Sequence, residues 1–120
     1  MVTWFNVKEK KGVATLYSNN ITLNVAAMYP FEEAYRVQVG LNDEGRIIIK
    51  PLIKSVVESG DLDESCLLKI ERHKSFARIS SALLMRQIEE ALGLTLSKEA
   101  VQFETSWDSK ENVLTLVGRK

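Results

Sequence analysis

Two stretches of this sequence carry the same order of predicted elements, and this order constrains the fold more than any other feature. Residues 21–52 and residues 77–117 each predict a short strand, a short helix and a hairpin. The corresponding positions are Leu23 with Ile79, Ala26 with Ala82, and 37–39 with 101–103. Each unit has too few apolar residues to enclose a core alone. We therefore expect the two units to pack face to face about a pseudo-twofold axis, as the protomers of a symmetric dimer do.

The length of the chain predicts a single domain. A chain of 120 residues can bury one core rather than two independent ones. Within residues 1–120 we place the first repeat at about 12–52, a linker at about 53–65 and the second repeat at about 66–117. The linker is rich in glycine, aspartate and serine, which mark loops. The predicted fold class is α+β, with the two strand-helix-hairpin repeats forming a small β barrel or split sheet with short helices.

The first repeat opens with a predicted turn and a capped helix. Ser18-Asn19-Asn20 separates two β-prone runs, and these short polar side chains favour a turn. Asn24 occupies the position of a helix N-cap, since its side-chain oxygen can accept a hydrogen bond from an unpaired amide of the first turn. Pro30 lacks an amide hydrogen and disfavours helical geometry in the residue before it. We therefore predict a helical segment in two pieces that ends near Ala34.

The hairpin of the first repeat is the strongest local signal. Residues 35–39 alternate in polarity and residues 46–49 are rich in β-branched side chains. Between them, Asn42-Asp43-Glu44-Gly45 has the composition of a short hairpin loop. Pro51 predicts that the second strand ends there or lies at an edge. Residues 52–59 then predict one or two helical turns.

The second repeat has the same order with a longer helix. We expect a strand at 66–71, a turn at 73–74, a strand at 75–79, and a final hairpin of 101–103 and 113–117 around the loop 107–112. Ser80 is the predicted helix cap and Gly93 the predicted helix end. The inner face of this helix is predicted from apolar residues at helical spacing, namely Leu84, Ile88, Ala91 and Leu92. Matched positions of the two repeats predict burial of Leu23, Val39, Ile79 and Phe103.

The composition excludes few functions and does not indicate any particular one. Sixteen basic residues balance sixteen acidic ones, so charge alone gives no argument for nucleic-acid binding. The single cysteine, Cys66, cannot form an internal disulfide, and residues 1–12 lack the apolar stretch of a signal peptide. We expect a cytoplasmic protein without a membrane span, since the apolar runs are far shorter than the roughly 20 residues that cross a bilayer.

The order of elements resembles that of a known family. GVATLY, ITLN, the short helix and RVQVGLNDEGRIIIKP together resemble the swapped-hairpin barrel of the AbrB/MazE family of transition-state regulators and antitoxins. Two copies in one chain resemble the tandem arrangement of MraZ proteins. The resemblance implies a DNA-binding regulator. Family members commonly carry an acidic-Gly-Arg segment before the strand that leads into the helix. Here Ser18-Asn19-Asn20 stands in that place, and Arg72-His73-Lys74-Ser75 in the second copy supplies positive charge.

Catalytic and metal-binding motifs are weak in this sequence. A Cys66–His73 pair would activate a thiolate, but a lone cysteine at the start of an apolar strand is more often simply buried. Asp61, Asp63 and Glu64 lack the fuller ligand set and the glycine of a calcium loop, so a solvated linker is the expected reading. We therefore expect no catalytic residue, no metal and no cofactor.

Basic residues supply the remaining site prediction. Lysines near Trp4 and Phe5 resemble a basic patch with aromatic residues, although lysines also commonly protect strand edges. We predict a non-catalytic binding module, with DNA or another protein as the partner and either a monomer or a homodimer as its state. The candidate contact residues are Lys8, Lys10, Lys11, Arg72, His73 and Lys74.

Overall fold

The computed structural model describes residues 1–5 and 11–120, and in these ranges it contains eight strands and five short helical segments. The strands are β1 (Val13–Leu16), β2 (Asn20–Asn24), β3 (Arg36–Leu41), β4 (Ile47–Leu52), β5 (Glu71–Arg72), β6 (Phe76–Ser80), β7 (Val101–Asp108) and β8 (Val113–Arg119). The α-helices are α1 (Val25–Met28), α2 (Lys54–Glu58) and α3 (Ala82–Leu92), and 3₁₀ turns cover Tyr29–Phe31 and Glu64–Cys66. No helix within the described ranges combines the length and the apolar character needed to cross a bilayer.

The strands form one antiparallel sheet that curls into a half-barrel. Their order is β3-β4-β8-β7-β1-β2-β6-β5, and every neighbouring pair is antiparallel. Val37 of the edge strand β3 exchanges two backbone hydrogen bonds with Leu68, which lies just before the other edge strand, β5. Both of these bonds measure 2.9 Å. The sheet therefore bends far enough to bring its two edges together, and the predicted small α+β, barrel-like fold is confirmed.

The core lies on the concave side of the sheet. Alternate residues of β1, β2, β4, β6 and β8 point inward, as the two-residue period of a strand requires. The largest fully buried side chains include Phe31, Leu16, Ile21, Leu23, Ile49, Ile79 and Met85. The predicted burial of Leu23 and Ile79 is confirmed, whereas Val39 and Phe103 are only partly buried and pack against the margin of the core.

Helix α3 covers one side of the core. Leu84 and Ile88 are buried as predicted, and Met85 joins them. Ala91 is exposed and Leu92 is half-buried, so the inner face is narrower than the apolar spacing suggested. Gly93 ends the helix in the left-handed region, with φ of 67°. Only glycine adopts this conformation without a steric cost.

Two asparagines fix the local geometry of the first half. Asn24 Oδ1 accepts from the amides of Ala27 and Val13, each at 3.0 Å, and Asn24 Nδ2 donates to the carbonyl of Lys11 at 2.9 Å. The predicted N-cap and the two-piece helix are thus confirmed. Asn42 Oδ1 accepts from the amides of Glu44 and Arg46 and closes the β3–β4 loop.

Three element boundaries differ from the predictions. The strand predicted at 66–71 is reduced to β5, because Asp63 caps a 3₁₀ turn that contains Cys66. Ser80 remains in β6, and the cap of α3 is Ser81, whose Oγ accepts from the Leu84 amide at 3.1 Å. The loop predicted at 107–112 begins later, since Trp107 belongs to β7 and packs edge-on against Phe31 with ring centroids 6.2 Å apart.

Pro51 was predicted to end its strand or to lie at an edge, and β4 ends one residue after it, at Leu52. Pro51 lies opposite Val37 in the ladder with β3. Val37 directs both of its backbone groups to Leu68 on the other side, so it requires no amide hydrogen from Pro51. On its other side β4 pairs with β8 only at Ile48 and Ile49. A proline is tolerated at such a locally unpaired position.

We predict that Leu84→Asp unfolds the protein, because it places an unpaired charge where the side chain is only 9% exposed. We expect a loss of roughly 4 kcal/mol or more, most of the stability of an ordinary domain. Urea unfolding followed by circular dichroism measures the loss. Leu83→Asp is the matched control, since Leu83 is 61% exposed one position earlier in the same helix. A folded, cooperative Leu84→Asp protein would show that α3 presents a different face to the core.

Candidate functional site

The outer surface of β1, β2 and β6 carries a continuous groove. Three recesses of about 550, 270 and 540 Å³ adjoin one another along these strands. The first two share Val13 and Asn24, and the last two share Thr22 and Phe76. We call this combined surface the outer groove. Its principal polar and aromatic lining residues are Lys11, Thr15, Tyr17, Ser18, Asn19, Asn20, Thr22, Asn24, Ser75, Phe76, Arg78, Gln102 and Lys120.

Strand alternation explains the polar lining of the groove. In β2, Ile21 and Leu23 enter the core while Asn20, Thr22 and Asn24 face outward. In β6, Ala77 and Ile79 enter the core while Phe76 and Arg78 face outward. The register of the β2–β6 ladder sets Thr22 opposite Arg78 and Asn24 opposite Phe76. Two strands from opposite halves of the chain therefore supply adjacent rows of the same surface.

The charge of the outer groove is one-sided. Among the described residues its lining includes three cations, Lys11, Arg78 and Lys120, and no aspartate or glutamate. The chain as a whole carries sixteen acidic residues and a net charge of zero. The backbones of both lysines are held: the Lys11 carbonyl accepts from Asn24, and the Lys120 amide donates to the carbonyl of Gln102 at 2.9 Å.

Arg78 is the most deeply placed of the three cations. Its guanidinium carbon lies 5.2 Å from the ring centroid of Phe76, on which His73 also stacks at 4.5 Å. Its cross-strand neighbour Glu71 lies 3.6 Å from His73 Nε2 instead. Within the described ranges Arg78 makes no ion pair, and its buried Nε has no hydrogen-bond partner. An acidic ligand group such as a phosphate would satisfy this guanidinium, because arginine presents a planar fork of donors.

The turn between β1 and β2 forms one end of the groove. The Tyr17 amide donates to the Asn20 carbonyl at 2.8 Å and closes this turn. Asn20 Oδ1 accepts from Thr22 Oγ1, and Asn20 Nδ2 donates to Asn19 Oδ1, both at 2.7 Å. The Tyr17 side chain is 42% exposed at the margin of the recess that also contains Arg78. This end of the groove therefore combines a cation, an aromatic ring and side-chain amides.

The structure uses the predicted contact residues in different ways. Lys11 lines the outer groove, while Lys8 and Lys10 lie outside the described residues. Arg72 Nη1 donates to the carbonyls of Ala34 at 2.7 Å and Phe31 at 3.3 Å, so this arginine ties β5 to the first half of the chain.

The other two predicted contact residues lie in the β5–β6 turn. His73 is positioned by Glu71 and Phe76. Lys74 is exposed beside it. His73 therefore supports Phe76 and, through it, the Arg78 end of the outer groove.

A second concave surface lies between α3 and the ends of β3 and β4 that adjoin their hairpin loop. It is a recess of about 210 Å³, lined by Val39, Gly40, Leu41, Ile47, Leu84, Gln87, Ile88 and Ala91. We call it the apolar recess, since Gln87 is the one polar side chain among its described lining residues. Its rim includes Leu41, which is itself exposed.

The remaining candidate residues are the Cys66–His73 pair and the acidic residues of the linker. Cys66 is exposed at the end of its 3₁₀ turn, and His73 stacks on Phe76. In the acidic linker, the Ser65 hydroxyl donates a hydrogen bond to the Asp63 carboxylate, and the Ser65 amide donates another. These two bonds hold the pKa of the Asp63 carboxyl below its usual value, with the hydroxyl contributing more. The described residues contain no group of three or more histidine, cysteine, aspartate or glutamate side chains arranged to hold a metal.

Sequence reasoning missed Arg78, Tyr17 and the asparagines of the first turn as site residues. The strand predicted at 75–79 already implied that Arg78 points away from the core, because its neighbours Ala77 and Ile79 are apolar. The missing information was the β2–β6 register, which joins residues 56 positions apart, such as Thr22 and Arg78. No local pattern in the sequence encodes that pairing.

A scan against protein-family models, a search of curated proteins and a search of solved structures each find no match to this chain. The chemistry of the outer groove and of the apolar recess is therefore the basis for a functional assignment.

We predict that Arg72→Ala lowers the free energy of unfolding by about 1–2 kcal/mol, since it removes charge-assisted hydrogen bonds to two carbonyls. Lys74→Ala, an equal change of charge in the adjoining turn, should have almost no effect. Urea unfolding of the two variants under identical conditions compares them. Equal stability would mean that Arg72 does not hold β5 to the first half and remains available for a ligand.

Proposed function

We propose that this chain is a non-catalytic binding module whose outer groove contacts the sugar-phosphate backbone of DNA, as a regulator-type protein would. The observation that carries the proposal is the groove lining: three cations, several side-chain amides and hydroxyls, and no carboxylate. A cytoplasmic location is part of the proposal, in keeping with a chain whose single cysteine can form no internal disulfide.

Phosphate contacts explain why this lining suits DNA. Lysine and arginine side chains neutralise phosphates and release condensed counterions, which drives binding. Serine, threonine, asparagine, glutamine and tyrosine side chains commonly hydrogen-bond to phosphate and sugar oxygens. Both classes alternate along the outer groove, with Lys11 and Lys120 at one end and Arg78 toward the other. A carboxylate in this path would repel the backbone, and the described lining residues include none.

We further propose that the two halves are copies of one unit related by an approximate twofold axis, as in the swapped-hairpin barrels that the sequence resembles. In support, β2 pairs with its proposed counterpart β6, and β4 pairs with its counterpart β8, both antiparallel. The pairing of β1 with β7 has a counterpart in the bridge between Val37 of β3 and Leu68. The second copy has a longer helix and a shorter first strand.

This arrangement predicts that neither half folds alone. Fragments 1–60 and 61–120, separated at the exposed loop after Gly60, should each be unfolded by circular dichroism, because the β1–β7, β2–β6 and β4–β8 ladders each need both halves. An equimolar mixture should regain β structure and cooperative unfolding. A stable fold in either isolated fragment would contradict mutual dependence of the halves.

We predict that the protein binds a DNA duplex with an affinity that falls steeply as salt rises. Each phosphate contact contributes about 0.9 to the slope of log K against log salt. Lys11→Gln, Arg78→Gln and Lys120→Gln should therefore each reduce the slope by about one and weaken binding at low salt. Fluorescence anisotropy across a series of salt concentrations measures both quantities.

Lys110→Gln is the matched control, since Lys110 lies in the β7–β8 turn and lines none of the three recesses. This variant should retain the slope of the parent protein. Absence of binding at low salt would remove the DNA proposal. Equal effects of all four substitutions would mean that general charge, and not the groove, attracts the DNA.

The apolar recess favours a protein partner as a second candidate function. Leu41 and Leu83 are large exposed apolar side chains on the two elements that border it, and exposed apolar surface commonly marks interaction sites. The partner would be either another protein or a second copy of this chain. Binding of this kind depends little on salt, so the salt series distinguishes it from DNA binding.

A further inference from the structure

We infer that the Arg78 end of the outer groove takes an unpaired nucleotide, with its base stacked on Tyr17 and its phosphate held by Arg78. This inference rests on the proposed DNA binding and specifies the form of nucleic acid that the groove prefers. Tyr17 and Arg78 line the same recess of about 540 Å³. This volume falls within the roughly 300–1,000 Å³ of sites that hold small organic ligands, a class that includes a single nucleotide.

The Tyr17 ring is available for stacking. The residue directly follows β1, at the start of the first turn, and it is 42% exposed. The ring of Tyr35, in contrast, is covered by the Arg36 guanidinium at 4.2 Å. In the described part of the chain no aromatic ring or cation stacks on Tyr17. Every base has a π face, so such a ring binds bases with little regard to sequence.

Arg78 supplies the matching anion contact. The Phe76 ring and the strand backbone fix its position, while its guanidinium forms no ion pair among the described residues. Its Nε is buried without a hydrogen-bond partner. That buried atom is out of reach of a ligand, so a phosphate in the recess that Arg78 lines would bind to the terminal Nη groups of its guanidinium. A phosphate oxygen is an acceptor that arginine binds with two parallel hydrogen bonds.

The asparagines of the first turn complete the site. Asn20 is occupied by hydrogen bonds to Thr22 and Asn19. The Asn19 amide nitrogen donates no hydrogen bond to any described residue and can reach for the edge of a base. Side-chain amides suit base edges because they both donate and accept. Arg78, Tyr17 and Asn19 thus provide contacts for the phosphate, the base face and the base edge of one nucleotide.

The combination of Tyr17, Arg78 and Asn19 disfavours a base-paired nucleotide. In a duplex both faces of each interior base are stacked and the Watson–Crick edges are paired. The Tyr17 ring would then meet only sugar and phosphate, and its stacking energy would be lost. An unpaired nucleotide offers its face, its edge and its phosphate at once, which is how aromatic-bearing sheet surfaces bind single strands.

The test compares one mixed-sequence oligonucleotide as a labelled single strand and as a blunt duplex, by fluorescence anisotropy at constant salt. We expect the single strand to bind more tightly. Tyr17→Ala should weaken single-strand binding about tenfold, which corresponds to the loss of one stacked base, and should change duplex binding less than twofold. Tyr17→Phe should retain single-strand binding because it keeps the ring. Tyr29→Ala is the control, since Tyr29 is 72% exposed outside the groove.

The outcomes separate this inference from the proposed function. Tighter duplex binding, or equal effects of Tyr17→Ala and Tyr29→Ala, would overturn the inference, while slope changes in the Lys11 and Lys120 variants would still uphold DNA binding. Absence of binding to either form would overturn both. Titration with thymidine monophosphate distinguishes the source of the nucleotide: an affinity equal to that of the oligonucleotide would overturn strand binding in favour of a free nucleotide ligand.

Discussion

The ladder between β2 and β6 is the contact on which the rest of the structure depends. It joins the two halves of the chain over five residue pairs, from Asn20–Ser80 to Asn24–Phe76. The inward pairs, Ile21–Ile79 and Leu23–Ala77, are fully buried. The central outward pair is Thr22–Arg78. A slip of one residue would reverse every side chain of one strand and drive a guanidinium into the core. The β2–β6 register therefore both keeps the apolar side chains in the core and places the polar side chains in the outer groove.

The two arginines of the β5–β6 hairpin show how position decides the role of a charge. Arg72 lies opposite the inward residue Ala77, and its guanidinium reaches carbonyls of the first half. The Phe31 carbonyl, in the 3₁₀ turn, also accepts from the Ala34 amide at 3.1 Å, and the Ala34 carbonyl lies after the turn, where helical hydrogen bonding has ended. Arg78 lies on the outward side of the same hairpin, where its Nε has no hydrogen-bond partner among the described residues. Arg72 consequently ties β5 to the first half of the chain, whereas Arg78 is the arginine to which we assign the proposed ligand contact.

The sequence predicted what depends on neighbouring residues. The Asn24 cap and the Asn42–Gly45 loop follow from side chains within four positions of the amides that they bond. The left-handed end of α3 follows from Gly93 itself. The differences occurred where a distant segment decides. The β3–β4 ladder includes Pro51 at the point where Val37 bonds to Leu68, and Trp107 belongs to β7, where its ring packs against Phe31. The outer groove was not predicted for the same reason, since the outward-facing residues of β2 and β6 are brought together only by the β2–β6 register.

The neutral composition concealed the charge pattern of the surface. A net charge of zero is a sum over the whole chain, whereas a ligand responds to the local field. The three cations that the described residues supply to the outer groove would nevertheless limit the electrostatic share of the proposed DNA binding, because three phosphate contacts give a salt slope of only about three. Proteins that depend on charge alone use more contacts than this. The proposed binding would then depend on contacts that salt does not screen, and the exposed ring of Tyr17, in the same recess as Arg78, is the part of the described lining best able to supply them.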